Sequence, residues 1–377
     1  MVTGIICEYN PLHNGHKKQL DLIRATDPTG GIVCLMSGNF VQRGAPAVFD
    51  KLTRAKAAML CGADLVLELP VTAALSSAEG FASGGVSILG KFCDQLCFGA
   101  EDPDKLTELA AGLLREDFPL LLKAELEKGL SFPAARQAAL ETMGLDGSLL
   151  AKPNNILAVE YCKAITQQKS AMRPYPILRQ GDYHDDVANS DNPSATALRS
   201  QIESGADWQA YVPASAAACF GNATLHHLGA AEKAILYRLR TMTDAEFEAL
   251  PFGSEGLWRK LMHAARSEAT LEAVIAATKS KRYTRTRLDR MVMCAYLGIT
   301  QQILETPAPY VRVLALNDRG REILKKARHT GAFPNIGEVQ EHPYQLWENR
   351  WGDLYGLFAH HPEPSGMETE YRIFYQK

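Results

Sequence analysis

Short apolar runs alternate with amphipathic stretches along the first hundred residues. The apolar runs are rich in β-branched residues, are bounded by Gly, Asp or Pro, and lie at 4–7, 31–36 and 64–70. They predict buried strands. Residues 50–62 carry apolar side chains at helical spacing, with Asp50 as N-cap and Gly62 as the stop. A further helix and strand follow at 79–92 and 94–101. This alternation predicts an α/β fold, a Rossmann-like parallel sheet with helices on both faces.

The pattern changes twice along the rest of the chain. From 103 to 170 it is helical, and a returning strand at 173–180 and a capped helix at 194–202 follow. After a further helical region, a strand at 311–317 precedes a helix at 318–331. We therefore expect three domains: an α/β domain at 1–205, a helical domain at 206–300 and a small α+β domain at 301–377.

Composition excludes several classes of protein. With 46% hydrophobic and 22% charged residues the chain is an ordinary globular protein, and its net charge of −3 excludes coating of nucleic acid by bulk charge. The eight cysteines are scattered and lack CxxC or zinc-site spacing, which favours buried thiols in a reducing, cytoplasmic setting. We see neither a signal peptide nor an apolar span of about 20 residues, so no membrane partner is expected.

The stretch EYNPLHNGHKKQ at 8–19 follows the first predicted strand directly. A helix that begins near Gly15 or His16, at the carboxyl edge of the sheet, offers N–H groups and a partial positive charge to phosphate. His13 and His16 can donate hydrogen bonds, and the Lys17–Lys18 pair adds charge. This pattern favours the binding of a nucleotide polyphosphate. The alternatives are two surface histidines, or two metal ligands whose further partners do not appear at recognisable spacing.

Two motifs carry a resemblance to known enzymes. YNPLHNGH resembles the (H/T)xGH motif of the HIGH superfamily, which transfers adenylyl groups. PSATALRS at 193–200 resembles the second motif of that superfamily, with Ser194, Thr196 and Arg199 in matching places. Two motifs in the expected order are more specific than one.

A wider set of segments narrows the resemblance. These segments, which include MSGNFVQRGAPAVFDKLTRAKAA, GADLVLELP, FGAE and KPNNILAVEY, are similar to those of the tRNA(Met) cytidine acetate ligases. The resemblance implies a HUP-type nucleotidyltransferase domain and a two-step reaction. Acetate and ATP would give acetyl-adenylate and pyrophosphate, and the acetyl group would pass to N4 of the wobble cytidine of elongator tRNA(Met).

The resemblance also implies a nucleotide site. Its main loop comprises Ile6, Cys7, Glu8, Tyr9, Asn10, Pro11, Leu12, His13, Asn14, Gly15, His16, Lys17, Lys18 and Gln19. His13 and His16 would stabilise the α-phosphate during attack. The resemblance also places Gly99, Arg179 and either Asn154 or Asn155 in the nucleotide site. An asparagine here can instead simply cap a helix. Arg179 can instead form a surface ion pair. Acetate is already ionised near neutral pH, so its attack needs no base. Mg²⁺ would accompany ATP and would be held largely by the phosphates and by water.

Basic residues predict an RNA surface. Arg43 and Lys51 lie in a long loop, and the dense run at 278–290 contains Lys279, Lys281, Arg282, Arg285 and Arg287. Each can neutralise a phosphate, whereas a solvated charged face is the plain alternative.

Two rival functions remain: a cofactor adenylyltransferase that acts on a small molecule, and an RNA-binding protein without catalysis.

Overall fold

The computed structural model describes residues 1–178, 194–329 and 342–377. Its strands are β1 (Val2–Cys7), β2 (Gly31–Ser37), β3 (Phe40–Val41), β4 (Ala45–Pro46), β5 (Leu65–Leu69), β6 (Gln95–Ala100), β7 (Arg173–Leu178), β8 (Val313–Leu316) and β9 (Phe374–Tyr375). Seven of them form one sheet in the order β7-β6-β1-β2-β5-β8-β9, and β3 pairs with β4.

The strand order places a crevice beside β1. β1 pairs in parallel with β2 on one side and with β6 on the other, while β5 and β7 extend the parallel sheet outwards. The chain therefore leaves β1 towards β2 and returns on the opposite side at β6. In such sheets ligands bind at the carboxyl ends of the strands where this reversal occurs. The predicted α/β fold with a parallel sheet is confirmed.

Helices cover both faces of this sheet and form the region that follows it. They are α1 (Asn14–Thr26), α2 (Lys51–Leu60), α3 (Val71–Ala74), α4 (Ala78–Leu89), α5 (Leu106–Leu113), α6 (Phe118–Glu127), α7 (Phe132–Thr142), α8 (Pro153–Gln167), α9 (Ala195–Ser204), α10 (Ala214–Phe220), α11 (Glu232–Thr241), α12 (Asp244–Glu248), α13 (Leu257–Ser267), α14 (Leu271–Thr278), α15 (Arg285–Leu297), α16 (Gln301–Leu304), α17 (Asp318–His329), α18 (Pro343–Tyr355) and α19 (Met367–Glu370).

The strand pattern divides the core into two layers. Along β2, Val33 and Leu35 join the cluster shared with α4, α5 and α8, whereas Cys34 and Met36 join the cluster shared with α1, α2 and α9. This alternation follows from the period of two in a strand. A third cluster lies among α11, α13, α14, α15 and α18, apart from the sheet.

The last two strands join the sheet that contains β1. β8 pairs antiparallel with β5, and β9 pairs in parallel with β8. β8 and β9 thus extend the first sheet, and β8 covers the edge that β5 would otherwise expose. The boundaries near 205 and 300 stay predictions.

A buried charge cluster fastens this C-terminal segment to the sheet. The Lys51 ammonium lies 2.8 Å from carboxylate oxygens of both Glu68 and Glu368. Arg312 contacts Glu368 at 2.8 Å and Glu348 at 3.0 Å. Burial alone would lower the pKa of Lys51, but Glu368 and Glu68 raise it above its usual value. Lys51 is only 2% exposed. The prediction of an RNA contact at Lys51 is therefore corrected, because an RNA phosphate cannot reach a side chain that is enclosed by carboxylates.

Glu348 should make folding stability depend on pH. Burial and the Glu68 carboxylate raise the pKa of Glu348 to about 7. The folded chain therefore keeps this proton over a range where the unfolded chain, with a Glu pKa of about 4.3, has lost it. Stability from this group is present at low pH and is lost as pH rises towards 7. In chemical denaturation at pH 5 to 8, the free energy of unfolding of Glu348→Gln should increase relative to that of wild type as the pH rises. A constant difference, like that of the exposed control Glu322→Gln, would contradict this assignment.

Candidate active site

The turn between β1 and α1 builds the centre of the site. β1 ends at Cys7, Tyr9 adopts a left-handed φ of 44°, and α1 begins at Asn14 with His13 as its N-cap. The helix thus begins one or two residues earlier than predicted, because His13 caps it. The His13 backbone N–H donates to His16 Nδ1 at 3.3 Å. A strained residue followed by a helix start at the crevice is the arrangement expected of a phosphate site.

The two imidazoles are stacked on each other. The ring centroids of His13 and His16 lie 3.7 Å apart with an angle of 23° between planes, and the Tyr9 ring lies 5.0 Å from that of His16. Since His16 Nδ1 accepts a hydrogen bond, its ring proton belongs on Nε2. This tautomer gives His16 a donor that suits a phosphate oxygen. The pair can therefore stabilise an anion by hydrogen bonding.

Gly15 allows the stacked arrangement. A Cβ atom built at this position would lie 3.0 Å from His13 Cε1 and 3.2 Å from His13 Nδ1. Any larger residue would press on the His13 ring. The absence of a side chain at Gly15 therefore makes room for the His13 ring.

The second motif contacts the first. Ser194 is the N-cap of α9 and accepts a hydrogen bond from the Ala197 N–H. Arg199 donates from Nη1 to the Asn10 carbonyl at 3.0 Å and from Nη2 to Thr196 Oγ1 at 3.1 Å. The two motifs, which are distant in sequence, therefore meet at the histidine turn. Arg179 lies outside the described residues.

The carboxyl end of β6 forms the other wall. Gly99 lies near the end of β6, and Gln19 of α1 reaches across to Cys97 with an Nε2–Sγ distance of 3.4 Å. Asn155 is fully buried. It accepts the N–H groups of Glu101 and Asp102 and donates to Asp102 and to the Leu149 carbonyl, which uses all of its hydrogen-bonding capacity.

Asn154 is placed differently. It is half-buried and donates to Glu101 at 2.7 Å. The N-cap of α8 is Lys152, so neither asparagine caps this helix. Asn155 therefore shapes the loop after β6, and Asn154 is the member of the pair that lies nearer to solvent.

Other residues of the predicted nucleotide loop support the turn. Ile6, Pro11 and Leu12 are buried. Burial raises the pKa of the Cys7 thiol well above its usual value, so Cys7 is not a thiolate nucleophile. Lys17 is ion-paired with Asp21, while Lys18 is exposed. The charge of Lys17 is thus shared with a carboxylate one helical turn away.

Sequence analysis missed Arg54, which organises the carboxyl edge of the sheet. This fully buried guanidinium donates to the carbonyls of Phe49 at 2.8 Å, Glu8 at 2.6 Å and Ser37 at 3.0 Å, and to that of Gly38. Burial lowers its pKa. One sequence feature could have indicated its role: Arg54 lies three residues after Lys51 and four before Ala58, on the buried face of α2.

The basic run forms a hairpin followed by α15. Ser280 and Tyr283 form an isolated bridge, with Lys281 and Arg282 exposed at its tip and Lys279 exposed before it. An open cleft of about 530 Å³ lies between this hairpin and the start of α7. The hairpin thus presents cations to a groove.

Other predicted RNA contacts are engaged within the protein. Arg282 pairs with Glu255 at 2.9 Å, and Arg285 pairs with Glu272 and Asp289 at 2.7 and 2.8 Å. Arg287 donates to the Phe252 carbonyl at 2.7 Å. Arg43 is half-buried in the loop after β3. The structure therefore places Lys279 and Lys281 in a more open setting than Arg285 and Arg287.

Two further findings concern metals and membranes. Among the residues that the structure describes, no three His, Cys, Asp or Glu side chains converge as a metal site would require. Within the same residues, no helix combines the length and apolar character that crossing a bilayer demands.

Known proteins resemble this chain over nearly its whole length. Residues 1–366 match the HIGH Nucleotidyl Transferase family. The tRNA(Met) cytidine acetate ligase of Clostridium acetobutylicum is 34% identical, with 91% of each chain covered, and that of Clostridium novyi is 38% identical, with 88% covered. The crystal structure of Thermotoga maritima TmcAL with alpha-thio ATP superposes with a TM-score of 0.89 and 27% identity over both full chains. Its apo form gives a TM-score of 0.90 at 26% identity.

Proposed function

Since this chain belongs to the tRNA(Met) cytidine acetate ligase family within the HIGH nucleotidyltransferases, we propose that it is an ATP-dependent acetate ligase that acetylates N4 of the wobble cytidine in elongator tRNA(Met). One observation carries the proposal: a stacked histidine pair at the start of α1, joined to the second motif through Arg199 and Asn10. The structural relative that holds alpha-thio ATP supports the nucleotide assignment.

In the first step, an acetate oxygen attacks the α-phosphorus of ATP. The bond from that phosphorus to the bridging oxygen breaks, and pyrophosphate leaves with the electron pair. Negative charge that develops on the phosphate oxygens is stabilised by the His16 Nε2–H donor and by the positive end of α1. Acetate needs no deprotonation, so this step requires positioning and charge stabilisation only.

In the second step, the cytidine amine attacks the acetyl carbon of the adenylate. The carbon–oxygen bond to AMP breaks and AMP leaves with the electron pair, while N4 loses a proton to solvent. The same donors that stabilise the adenylate phosphate favour AMP as a leaving group.

The remaining ATP contacts are assigned from placement. We assign the adenosine to Gly99, near the end of β6, and to Asn154, which donates to Glu101 directly after β6. Asn155 accepts the N–H of Glu101 and so holds this loop. Arg199 approaches the triphosphate from the second motif. Mg²⁺ would accompany ATP and would be held largely by the phosphates and water.

We assign the RNA surface to the hairpin with Lys281 and Arg282 at its tip and Lys279 directly before it, and we keep Arg285, Arg287 and Arg43 as further predicted contacts. The double variant Lys279→Gln/Lys281→Gln should weaken tRNA binding. The slope of log affinity against log salt should become shallower by about two, one for each lost phosphate contact. Filter binding at several salt concentrations measures this slope.

Acetate-dependent exchange of pyrophosphate into ATP should stay unchanged in the same double variant. The matched control is Lys91→Gln/Lys169→Gln. Both lysines are exposed, and they lie in the loops that lead into β6 and β7, at the amino ends of these strands. Equal slopes for the two double variants would refute the hairpin as the RNA surface.

Mass spectrometry of the RNA product tests the proposed function. The protein is incubated with elongator tRNA(Met), ATP and isotopically labelled acetate, and the digested RNA is analysed. We expect the label in N4-acetylcytidine at the wobble position, and none when ATP is omitted. Unlabelled cytidine in the complete reaction would refute the ligase assignment while leaving the fold unaffected.

A further inference from the structure

A loop at residues 38–50, here called the bridging loop, connects the histidine turn to the C-terminal helices. At Gln42, the backbone N–H donates to Glu8 Oε1 at 2.7 Å, and the carbonyl accepts from Arg290 Nη1 at 3.3 Å. At Val48, the N–H donates to Asn10 Oδ1 at 2.8 Å, and the carbonyl accepts from the His226 N–H at 2.9 Å. Two residues of the loop are thus bonded to the nucleotide loop on one side and to the C-terminal region on the other.

The bridging loop also lies directly on the backbone of α15. Gly44 has a φ of 78°, and a Cβ atom built there would lie 2.3 Å from the Arg290 amide nitrogen. A backbone atom cannot move aside as the end of a flexible side chain can, so only glycine permits this contact. α15 begins directly after the basic hairpin. The helix that follows the proposed RNA surface therefore touches the loop that holds Glu8 and Asn10.

Arg290 is an unusual buried cation. Its guanidinium lies 5.0 Å from the centre of the Phe252 ring, and burial lowers its pKa to about 10. The neighbouring Asp289 carboxylate pairs with Arg285, no ion pair within 4.0 Å joins Arg290 to a carboxylate among the described residues, and the Arg290 Nε has no hydrogen-bond partner there. A buried cation without a carboxylate is costly to retain for stability alone. Its hydrogen bond to Gln42 indicates a role in holding the loop.

We infer that Arg290 and Gly44 are positioning residues for adenylate formation. They seat the bridging loop on α15, and the loop then fixes Glu8 and Asn10, which lead into the histidine turn. The inference rests on the proposed function for the identity of the reaction. It makes the C-terminal helices a part of the ATP site even when no RNA is bound.

A pair of glycine variants tests the inference. Gly44→Ala introduces the clash with α15, whereas Gly144 has a matching φ of 79° and open space around its Cβ position. Gly144→Ala therefore carries the same backbone strain without a clash. We expect Gly44→Ala to weaken ATP binding at least tenfold, measured by titration calorimetry without RNA, and Gly144→Ala to stay within twofold. A partly unfolded sample would lower the number of sites but would leave the dissociation constant unchanged.

A second pair covers the case in which Gly44→Ala does not fold. Arg290→Met removes the donor to Gln42 and should raise the ATP dissociation constant and the KM for ATP in pyrophosphate exchange. Arg290→Lys, which keeps a cation and a donor, should restore part of the loss. ATP affinities of Gly44→Ala and Arg290→Met equal to that of Gly144→Ala would overturn the inference.

The two proposals fail in distinguishable ways. A wild-type protein that binds ATP but shows no acetate-dependent exchange would contradict the proposed function only. The calorimetric comparison among variants would still decide whether Arg290 and Gly44 position the nucleotide loop.

Discussion

His16→Ala should lower the rate of acetate-dependent ATP–pyrophosphate exchange by about 10²- to 10³-fold, the usual cost of removing one donor that stabilises transition-state charge. In the structure, the His16 ring stacks on His13 at 3.7 Å and holds its Nδ1 against the His13 N–H, which directs the donor on Nε2 away from the backbone. The loss should appear mainly in kcat, because the donor acts most strongly as charge develops on the α-phosphate.

His263→Ala is the matched control for this variant. His263 is exposed on α13, within the C-terminal helical region. We expect its exchange rate to equal that of wild type. Exchange by His16→Ala within threefold of wild type would contradict the assigned role, and loss of acetyl transfer without loss of exchange would place His16 in the second step instead.

Lys51→Met should lower the free energy of unfolding by about 3–5 kcal/mol, the range found when one partner of a buried ion pair is removed. Glu68 and Glu368 share the Lys51 ammonium. When that ammonium is removed, Arg312 is the cation that remains for Glu68, Glu368 and Glu348. Methionine preserves most of the volume, so the cost reports the charge. Urea unfolding followed by circular dichroism measures it.

Lys56→Met on the same helix serves as its control. Lys56 is exposed, and its ammonium lies 5.7 Å from the Phe374 ring centre. Its replacement should cost no more than about 1 kcal/mol. Equal losses for the two variants would refute the assignment of Lys51 to a buried cluster and would reopen its role at the surface.

Local sequence patterns predicted the elements that build the site. The apolar run before EYNPLHNGH predicted β1, and the pattern at 194–202 predicted a capped helix that the structure places at α9, with Ser194 as its N-cap. Both predictions rest on residues that are close together in the sequence. The resemblance to a family supplied the link between the two motifs. The hydrogen bond from Arg199 to Asn10 is the physical form of that link.

Contacts that are distant in sequence could not be predicted in the same way. Lys51 lies in a polar stretch, and its interior position depends on Glu368, far along the chain. The pairing of β8 with β5 and the contact of Gly44 with α15 likewise join distant segments. Sequence periodicity carries no information about such partners. A charged residue on the apolar face of α2 was the available indication, and Arg54 and Lys51 both occupy that face.

The acetate dependence of ATP–pyrophosphate exchange by the purified protein, without RNA, tests the central claim most directly. We predict that labelled pyrophosphate enters ATP only when acetate is present, and that neither pantetheine phosphate nor nicotinamide mononucleotide replaces acetate. Exchange that proceeds without acetate, or that requires one of those two compounds, would contradict the claim that the histidine turn joins acetate to ATP.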